Sequence, residues 1–251
     1  MVLSNNKVSI ITPFYNSKDY FDKTFESVLS QTFKDWEWII IDDCSSDDSY
    51  SYLKELTKND QRISVYQTPK NGGSAVARNI GLKHATGRYI TFLDSDDLLD
   101  PNYLESQLEF IKDNGPLITS GYRRDRNGTI STFMPRDLIT FKRALKGNDM
   151  SCLTTMYDRS IIGEVKFHEN FQRDEDYVFW LEILREGVSC KTNKTILATY
   201  YLHENSKNSK KKKLFKPRFN VYHKVLGFSS FKSLWLVFTY FLYGLKKYRK
   251  A

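Results

Sequence analysis

Acidic residues directly follow runs of apolar residues in the N-terminal half of the chain. Asp94-Ser95-Asp96 comes after the run from Arg88 to Leu93, which we predict to be a buried strand. Carboxylate oxygens on one short loop are the hard ligands that Mg²⁺ or Mn²⁺ needs when it bridges a diphosphate. Helix capping is the alternative, but Asp100, before Pro101, is the predicted N-cap of the next helix. The triplet therefore predicts a metal site with Asp94 and Asp96 as ligands.

A second acidic pair, Asp42 and Asp43, ends the apolar run from Trp36 to Ile41. A carboxylate at this place can accept hydrogen bonds from a ribose or from the imide of a uracil-like base, on which Tyr15 could stack. Turn formation is the alternative, because Asp and Ser also favour turns. Taken by itself the pair favours a turn, whereas Asp43 together with Tyr15 suggests a uridine nucleotide as the ligand.

Gly72-Gly73-Ser74 precedes a predicted helix that carries Arg78 one turn in. Glycines let the backbone approach a phosphate closely, and a helix start offers free amides. The segment is neither a Walker loop nor a complete dinucleotide fingerprint. We expect Gly73 and Arg78 to contact a bound nucleotide.

A third acidic cluster, Asp174-Glu175-Asp176, opens a predicted helix whose apolar stripe includes Trp180. At least one of these carboxylates should face the ligand cleft, where it could deprotonate a hydroxyl nucleophile. A favourable interaction with the helix dipole is the alternative. His203, after the strand-like run 198–202, could assist the metal or diphosphate, although a lone histidine is more often structural.

The elements that must position these residues alternate along the chain. Four times an apolar run is followed by a polar loop and then by apolar residues at helical spacing, which predicts the order βαβαβαβα. This order is typical of an α/β fold with a mostly parallel, Rossmann-like sheet flanked by helices. Ligands of such sheets bind beyond the carboxyl ends of the strands, where the acidic clusters fall.

Composition narrows the class of protein. The chain has 251 residues, of which 40% are hydrophobic and 27% charged, so it is long enough and apolar enough for a folded core. The three cysteines are widely spaced without a C-x-x-C pair, which argues against a disulfide framework and a thiolate zinc site. No secretory signal or confident membrane span is visible, so we expect a cytoplasmic protein.

The C-terminal part differs in character. The net charge of +8 is concentrated in residues 207–218 and 246–250, and such basic clusters favour phosphates, including lipid headgroups. Between them, residues 234–243 are strongly apolar. An interfacial membrane anchor is one interpretation, on the inner face of the cytoplasmic membrane. A helix packed on the core, or one that forms a homodimer, is the other.

Four segments taken in order resemble family 2 glycosyltransferases, the inverting GT-A enzymes of bacterial envelope synthesis. They are VSIITPFYN, WIIIDDCSSDDS, NGGSAVARNIGLKHATGRYITFLDSDD and RDEDYVFWLEILREG, within residues 7 to 205. The joint order and spacing are more specific than any one motif.

The resemblance implies a nucleotide-sugar donor, a Mn²⁺ or Mg²⁺ cofactor and a role for each matching residue. Asp96 is then the direct metal ligand and Asp94 supports the sugar diphosphate. Asp176 is the catalytic base, with Glu175 as its alternative. The residues implied or expected to contact the nucleotide-sugar are Pro13, Tyr15, Asp42, Asp43, Gly73, Arg78, Asp94 and Ser95.

The expected domain layout follows the motifs. Residues 1–205 form the GT-A domain, with a nucleotide-binding half to about residue 100 and an acceptor half to 205; residues 206–251 are a basic linker and a helical extension. Processive members carry a Q-x-x-R-W motif and channel segments, which are not seen, so the prediction is transfer of one sugar to a glycan or lipid-linked acceptor.

Two other classes explain part of the pattern. A phosphate- or nucleic-acid-binding protein would use the lysine-rich tail but leaves the ordered acidic loops without a role, so we expect no nucleic acid partner. Another metal-dependent enzyme, such as a phosphohydrolase or a nucleotidyltransferase, would also use aspartates at strand ends.

Overall fold

The computed structural model describes residues 4–171, 174–202 and 215–249. Within these ranges the strands are β1 (Ser4–Phe14), β2 (Trp36–Asp42), β3 (Ile63–Gln67), β4 (Gly87–Phe92), β5 (Leu98–Leu99), β6 (Leu117–Arg126), β7 (Thr129–Phe133), β8 (Leu138–Ile139), β9 (Thr155–Asp158) and β10 (Cys190–Tyr201). The helices are α1 (Lys18–Leu29), α2 (Ser49–Thr57), α3 (Ser74–His84), α4 (Tyr103–Asn114), α5 (Phe141–Ala144), α6 (Arg159–Ile162), α7 (Glu175–Arg185), α8 (Phe215–Asn220) and α9 (Ser230–Arg249). A 3₁₀ turn spans Cys152–Thr154 and a π-helical turn spans Val221–Val225.

The described strands form one sheet, whose main order is β3-β2-β1-β4-β9-β6-β10-β5. The first four of these strands are mutually parallel. Successive residues Ile10 and Ile11 of β1 face different hydrophobic clusters and are both fully buried. Burial on both faces explains why these strands are continuous apolar runs, without alternation of apolar and polar residues. The predicted α/β fold with a mostly parallel core is confirmed.

The second half of the sheet is mixed. β9 lies antiparallel between β4 and β6, while β10 runs parallel to β6. Two of its strands are long, since β6 has 10 residues and β10 has 12. The register of β10 shifts twice against β6, between Asn193 and Ile196 and between Ile196 and Thr199. Such irregularities interrupt the period-two pattern from which a long strand is predicted.

The predicted cap of α4 is wrong. The helix begins at Tyr103, with Asn102 at the N-cap position, and the Asp100 side chain instead forms an ion pair with Arg123 of β6. The Asp100 backbone carbonyl still accepts a hydrogen bond from the Tyr103 amide. Arg123 competes successfully for the carboxylate because a charge-assisted bond is stronger than a bond to a neutral amide.

The C-terminal helices pack on the core through the π-helical turn, where Val221 and Tyr222 are buried, and through one face of α9. Ser233, Leu236 and Val237 are buried, and the Tyr243 hydroxyl donates to Asp149 over 2.6 Å. Any side chain at Gly147 would collide with the Tyr243 ring. In the described ranges no helix has the length and apolar character needed to cross a membrane.

The opposite side of α9, which we call the outer face, is exposed. It consists of Phe231, Leu234, Trp235, Phe238, Phe241 and Leu242, all large and apolar. Their spacing of three and four residues places them on one stripe of the helix. The predicted basic linker at 206–213 lies outside the described residues.

Candidate active site

The loops after β1 and β2 meet at the carboxyl edge of the sheet. The Asp43 amide donates to the Phe14 carbonyl over 2.7 Å, so the loop that carries Pro13 and Tyr15 adjoins the acidic pair. Asn16 extends this contact through hydrogen bonds with Ser46. The Tyr15 ring is 46% exposed, which leaves it accessible to a flat ligand. The structure therefore brings Pro13, Tyr15 and Asp43 together, and their contact with a nucleotide stays a prediction.

The two carboxylates of the acidic pair differ in their partners. Asp42 is fully buried and accepts hydrogen bonds from Ser45 and from the Gln67 amide. This is the turn-forming alternative considered from the sequence. Asp43 accepts from the Thr68 hydroxyl at 3.0 Å and from the amides of Gly72 and Gly73 at 2.9 and 2.6 Å. Both aspartates therefore shape loops in this structure.

The amides of Gly72 and Gly73 are engaged within the protein. Both donate to the Asp43 carboxylate. A buried carboxylate next to a glycine loop takes the nearest amide donors. Contact of Gly73 with a nucleotide stays a prediction. Gly73 adopts φ 84° and ψ 170°, a conformation that is almost restricted to glycine.

Arg78 of α3 joins two acidic clusters that lie far apart in the sequence. Its guanidinium donates to Asp94 Oδ1 over 2.7 Å and to Glu175 Oε1 over 3.4 Å. The side chain is only 5% exposed. Burial alone would lower the pKa of Arg78, but Asp94 and Glu175 raise it, so the guanidinium stays charged. The loop after β4 and the start of α7 consequently face one another across this arginine.

Glu175 and Asp176 start α7 but have different surroundings. Glu175 Oε1 accepts from the Ser74 hydroxyl at 2.8 Å and from Arg78, so its charge is compensated. Asp176 is half-buried and accepts a bond from its neighbour, the Tyr177 amide, over 2.7 Å. Burial, followed by the negative charges of Glu175 and Asp174, raises the pKa of Asp176 to about 7, against the opposite effect of Arg78. A carboxylate with such a pKa is suited to accept a proton near neutral pH.

The loop after β4 supplies oxygen donors for a cation. Asp94 and Asp96 are both partly accessible, whereas Ser95 is buried and its carbonyl accepts from Thr24. In the ranges that the structure describes, no group of three His, Cys, Asp or Glu side chains could hold a metal. His203, the proposed third ligand, lies outside these ranges. Two carboxylates of one loop suit Mg²⁺ or Mn²⁺ when phosphate and water oxygens complete the shell.

The structure adds residues that the sequence analysis did not select. Ser74 contacts Glu175 from 101 positions away. Arg218 of α8 reaches Asp174, the residue before α7, over 2.8 Å. The sequence placed Arg218 only in a basic cluster, and the pattern carries no signal that this arginine is buried. Cys44, Cys152 and Cys190 are free, as predicted.

Comparison with known proteins agrees with this geometry. The model of glycosyl transferase family 2 matches residues 9–166. A putative teichuronic acid biosynthesis glycosyltransferase, TuaG of Bacillus subtilis, is 38% identical over 244 residues, which is 96% of each chain. The Escherichia coli protein WfgD, a UDP-Glc:alpha-D-GlcNAc-diphosphoundecaprenol beta-1,3-glucosyltransferase, is 34% identical over 96% of this chain and 94% of its own.

Solved structures share the fold. The Staphylococcus aureus TarS 1–349 complex with UDP-GlcNAc superposes with a TM-score of 0.74 at 21% identity, covering 94% of this chain and 71% of TarS. The mannosyltransferase PcManGT of Pyrobaculum calidifontis, in complex with GDP-Man and Mn²⁺, gives a TM-score of 0.69 at 14% identity, covering 93% and 69%. These similarities confirm the predicted GT-A fold. Because the family model matches residues 9–166 and the two relatives match almost the whole chain, the chain belongs to glycosyl transferase family 2 and is a glycosyltransferase.

Proposed function

We propose that this glycosyltransferase moves one sugar from a UDP-sugar to a hydroxyl of a lipid-linked glycan, with inversion at the anomeric carbon. The observation that carries the proposal is the Arg78 bridge between Asp94 and Glu175. It places the loop that would hold the donor diphosphate against the helix that would activate the acceptor. Positioning of two reactants is a major source of catalytic rate.

Asp176 is the base in this proposal. Its pKa of about 7 fits proton transfer at neutral pH, while Glu175 is held by Ser74 and Arg78. Asp176 takes the proton of the acceptor hydroxyl as that oxygen attacks the anomeric carbon and the bond to the diphosphate breaks. A single displacement of this kind inverts the configuration.

A divalent cation is the proposed cofactor, with Asp96 and Asp94 as its protein ligands. Their oxygens and their partly accessible loop fit a hard cation that also binds phosphate. When bound, the cation would neutralise charge that develops on the departing diphosphate. Arg78 contributes a fixed positive charge next to Asp94 without any metal. PcManGT, which shares the fold, carries Mn²⁺ in its complex.

The donor and acceptor are proposed from relatives with near full-length coverage. WfgD is described as using UDP-Glc and a GlcNAc-diphosphoundecaprenol acceptor, and the TarS complex contains UDP-GlcNAc. The exposed Tyr15 ring beside Asp43 supports a nucleotide base at that edge. A hexose or N-acetylhexosamine is the expected sugar, and a bacterial surface polysaccharide is the expected product.

The inner face of the cytoplasmic membrane is the partner that we assign to the outer face of α9. The packed side of α9 already holds the helix on the core, so the exposed outer face is not needed for folding. Lys232 is exposed on the same helix, and Lys246, Lys247, Arg249 and Lys250 follow the apolar run in the sequence. Aromatic and basic residues together favour an anionic lipid surface, where a lipid-linked acceptor would lie.

Ligand-induced stabilisation tests the donor and the metal. We expect UDP and one UDP-sugar, with Mn²⁺, to raise the melting temperature more than GDP, GDP-mannose or Mn²⁺ alone, because selective binding stabilises the folded state. Asp96→Asn should lose the metal-dependent part. The preferred donor should then transfer its sugar to a synthetic GlcNAc-diphospholipid. Cleavage of the donor at the same rate with and without acceptor would contradict the proposal.

A further inference from the structure

Arg218 of α8 is enclosed between two aromatic rings and the start of α7. Its guanidinium carbon lies 3.8 Å from the Tyr177 ring centroid and 4.0 Å from that of Tyr240 on α9. One nitrogen, Nη2, donates to Asp174 Oδ1 over 2.8 Å and to the Tyr240 hydroxyl over 3.1 Å. The side chain is 6% exposed. Arg218 thus connects the C-terminal helices to the residue that precedes Glu175 and Asp176.

Asp174 needs such support because of its backbone. It adopts φ 66°, in the left-handed region that side chains other than Asn and Asp rarely occupy. Its carbonyl accepts from the Val178 amide over 3.0 Å, the first turn of α7. A strained conformation persists when surrounding contacts determine it. The Arg218 contact is well suited to that role because it is buried and charge-assisted.

Tyr177, on the same turn, is held from the other side. Its hydroxyl donates to the Ala144 carbonyl over 2.8 Å and lies 3.0 Å from the Tyr222 hydroxyl. Tyr222 in turn donates to the Leu145 carbonyl. The C-terminal segment therefore contacts both residues that flank the Glu175–Asp176 pair.

We propose that Arg218 is a positioning residue, through which the C-terminal helices hold the first turn of α7 so that its carboxylates face the donor loop. The proposal rests on the assignment of Asp176 and Glu175 to the active site. The C-terminal extension then has a role in catalysis, in addition to the membrane contact proposed for the outer face of α9. A movement of α9 would displace Tyr240 and therefore Arg218. Through Asp174 it would also displace the carboxylates of Glu175 and Asp176.

The test compares variants of two arginines that contribute to the same C-terminal attachment, the buried Arg218 and the partly exposed Arg136. Arg218→Met removes the contact with Asp174. Arg136→Met is the matched control, because Arg136 pairs with Asp149, the partner of Tyr243 on α9, and among the described residues no hydrogen bond or ion pair joins it to α7. Arg218→Lys keeps the charge but loses the planar group that fits between two rings.

Amide exchange of the free protein is the first measurement. We expect faster exchange at residues 177–180 in Arg218→Met, a smaller increase in Arg218→Lys and none in Arg136→Met. Equal exchange at these residues in the wild type and Arg218→Met would overturn the proposal. So would an equal increase in Arg136→Met, since that result means general loosening of α9. This measurement needs neither donor nor acceptor.

Catalysis is the second measurement. We expect Arg218→Met to lower kcat about 10²-fold, with the donor KM unchanged, because small misplacements at a reacting centre have effects of that size. The acid limb of the pH profile should move to higher pH, since Asp174 loses its compensating charge. The other groups around Asp176 are Glu175, Arg78, Cys152 and Tyr240.

The two proposals fail in different ways. If the wild type transfers no sugar from any donor, the proposed function fails, while the exchange comparison still decides the role of Arg218. If transfer is found but kcat and the acid limb of Arg218→Met equal those of the wild type, the positioning role fails and the function stands.

Discussion

Carboxylates of the same type have different roles in this protein because their partners differ. Asp42 is enclosed by Ser45 and Gln67 and shapes a turn, while Asp43 organises the loop before α3. Asp176 has the raised pKa, and its neighbour Glu175 has the compensating arginine. Both acidic pairs are visible in the sequence. Only the hydrogen bonds of the folded structure distinguish the two members of each pair.

The pH dependence of transfer is the prediction at this scale. Because a raised pKa keeps Asp176 protonated in acid, kcat should fall about tenfold per pH unit below about 7 and level off above it. Initial rates of UDP release between about pH 5.5 and 8.5 test this limb. Asp176→Asn should remove the limb and lower kcat about 10²- to 10⁴-fold, the usual contribution of a general base.

Glu175→Gln is the comparison for this prediction. Loss of a negative neighbour should lower the pKa of Asp176, so the acid limb should move to lower pH. A wild-type rate in Asp176→Asn, or a limb that disappears only in Glu175→Gln, would assign the base to Glu175.

At the scale of elements, the loop between β3 and α3 determines where Ser74 and Arg78 lie. Asp43 holds this loop through the Gly72 and Gly73 amides, and α3 then presents both side chains to Glu175. Gly73 is needed for its conformation and not for lack of space, since no described residue other than its two chain neighbours has an atom within 4 Å of an added Cβ.

Gly73→Ala tests the loop. The strain of φ 84° with a side chain should reduce the free energy of unfolding by about 1–3 kcal/mol and weaken UDP binding, because α3 shifts relative to Asp43. Denaturant unfolding and calorimetric titration with UDP and Mn²⁺ measure the two effects.

Gly163→Ala is the matched control. Gly163 has φ 82° and ψ −161°, also without atoms near an added Cβ, but it follows α6 at an exposed position. We expect a similar loss of stability with unchanged UDP affinity. Equal weakening of UDP binding by both variants would mean that the Gly73 effect is one of global stability.

At the scale of the whole molecule, α9 combines two surfaces. Its packed side belongs to the core through Leu236 and Val237, so a truncation would damage the fold as well as the outer face. Substitutions of exposed residues change the outer face and leave the packed side intact.

Of the four tryptophans, all within the described ranges, Trp36, Trp38 and Trp180 are buried and Trp235 is exposed. Trp235 is therefore a built-in fluorescent reporter of membrane contact.

Binding to lipid vesicles is the prediction at this scale. Vesicles with phosphatidylglycerol should shift the Trp235 emission to shorter wavelength and co-sediment the protein, more than vesicles of phosphatidylcholine alone, because basic residues flank the apolar run in the sequence. Phe238→Ser with Phe241→Ser should reduce binding. Ile130→Ser with Ile161→Ser, which also removes exposed apolar side chains, should not. A concentration-dependent dimer without vesicle binding would assign the outer face to a second copy.

Much of the fold follows from the sequence because its signals are local. The runs Trp36 to Ile41 and Arg88 to Leu93 become β2 and β4 within one residue at each end, and the stripe that includes Trp180 becomes α7. Apolar periodicity and the residues that end it act over a few positions, which is why they can be read directly. The acidic loops at the carboxyl edge of the sheet follow from the same local signals.

Tertiary structure decided which groups meet. The link of Arg78 to Glu175 spans 97 positions, that of Asp43 to Gly73 spans 30, and that of Arg218 to Asp174 spans 44. No local pattern encodes such pairs, because a buried charge takes whichever partner the packed chain brings within hydrogen-bond distance. For that reason the sequence determined the family and the edge of the sheet that carries the site. Only the packed structure distinguished loop-forming aspartates from the candidate base and connected the C-terminal helices to it.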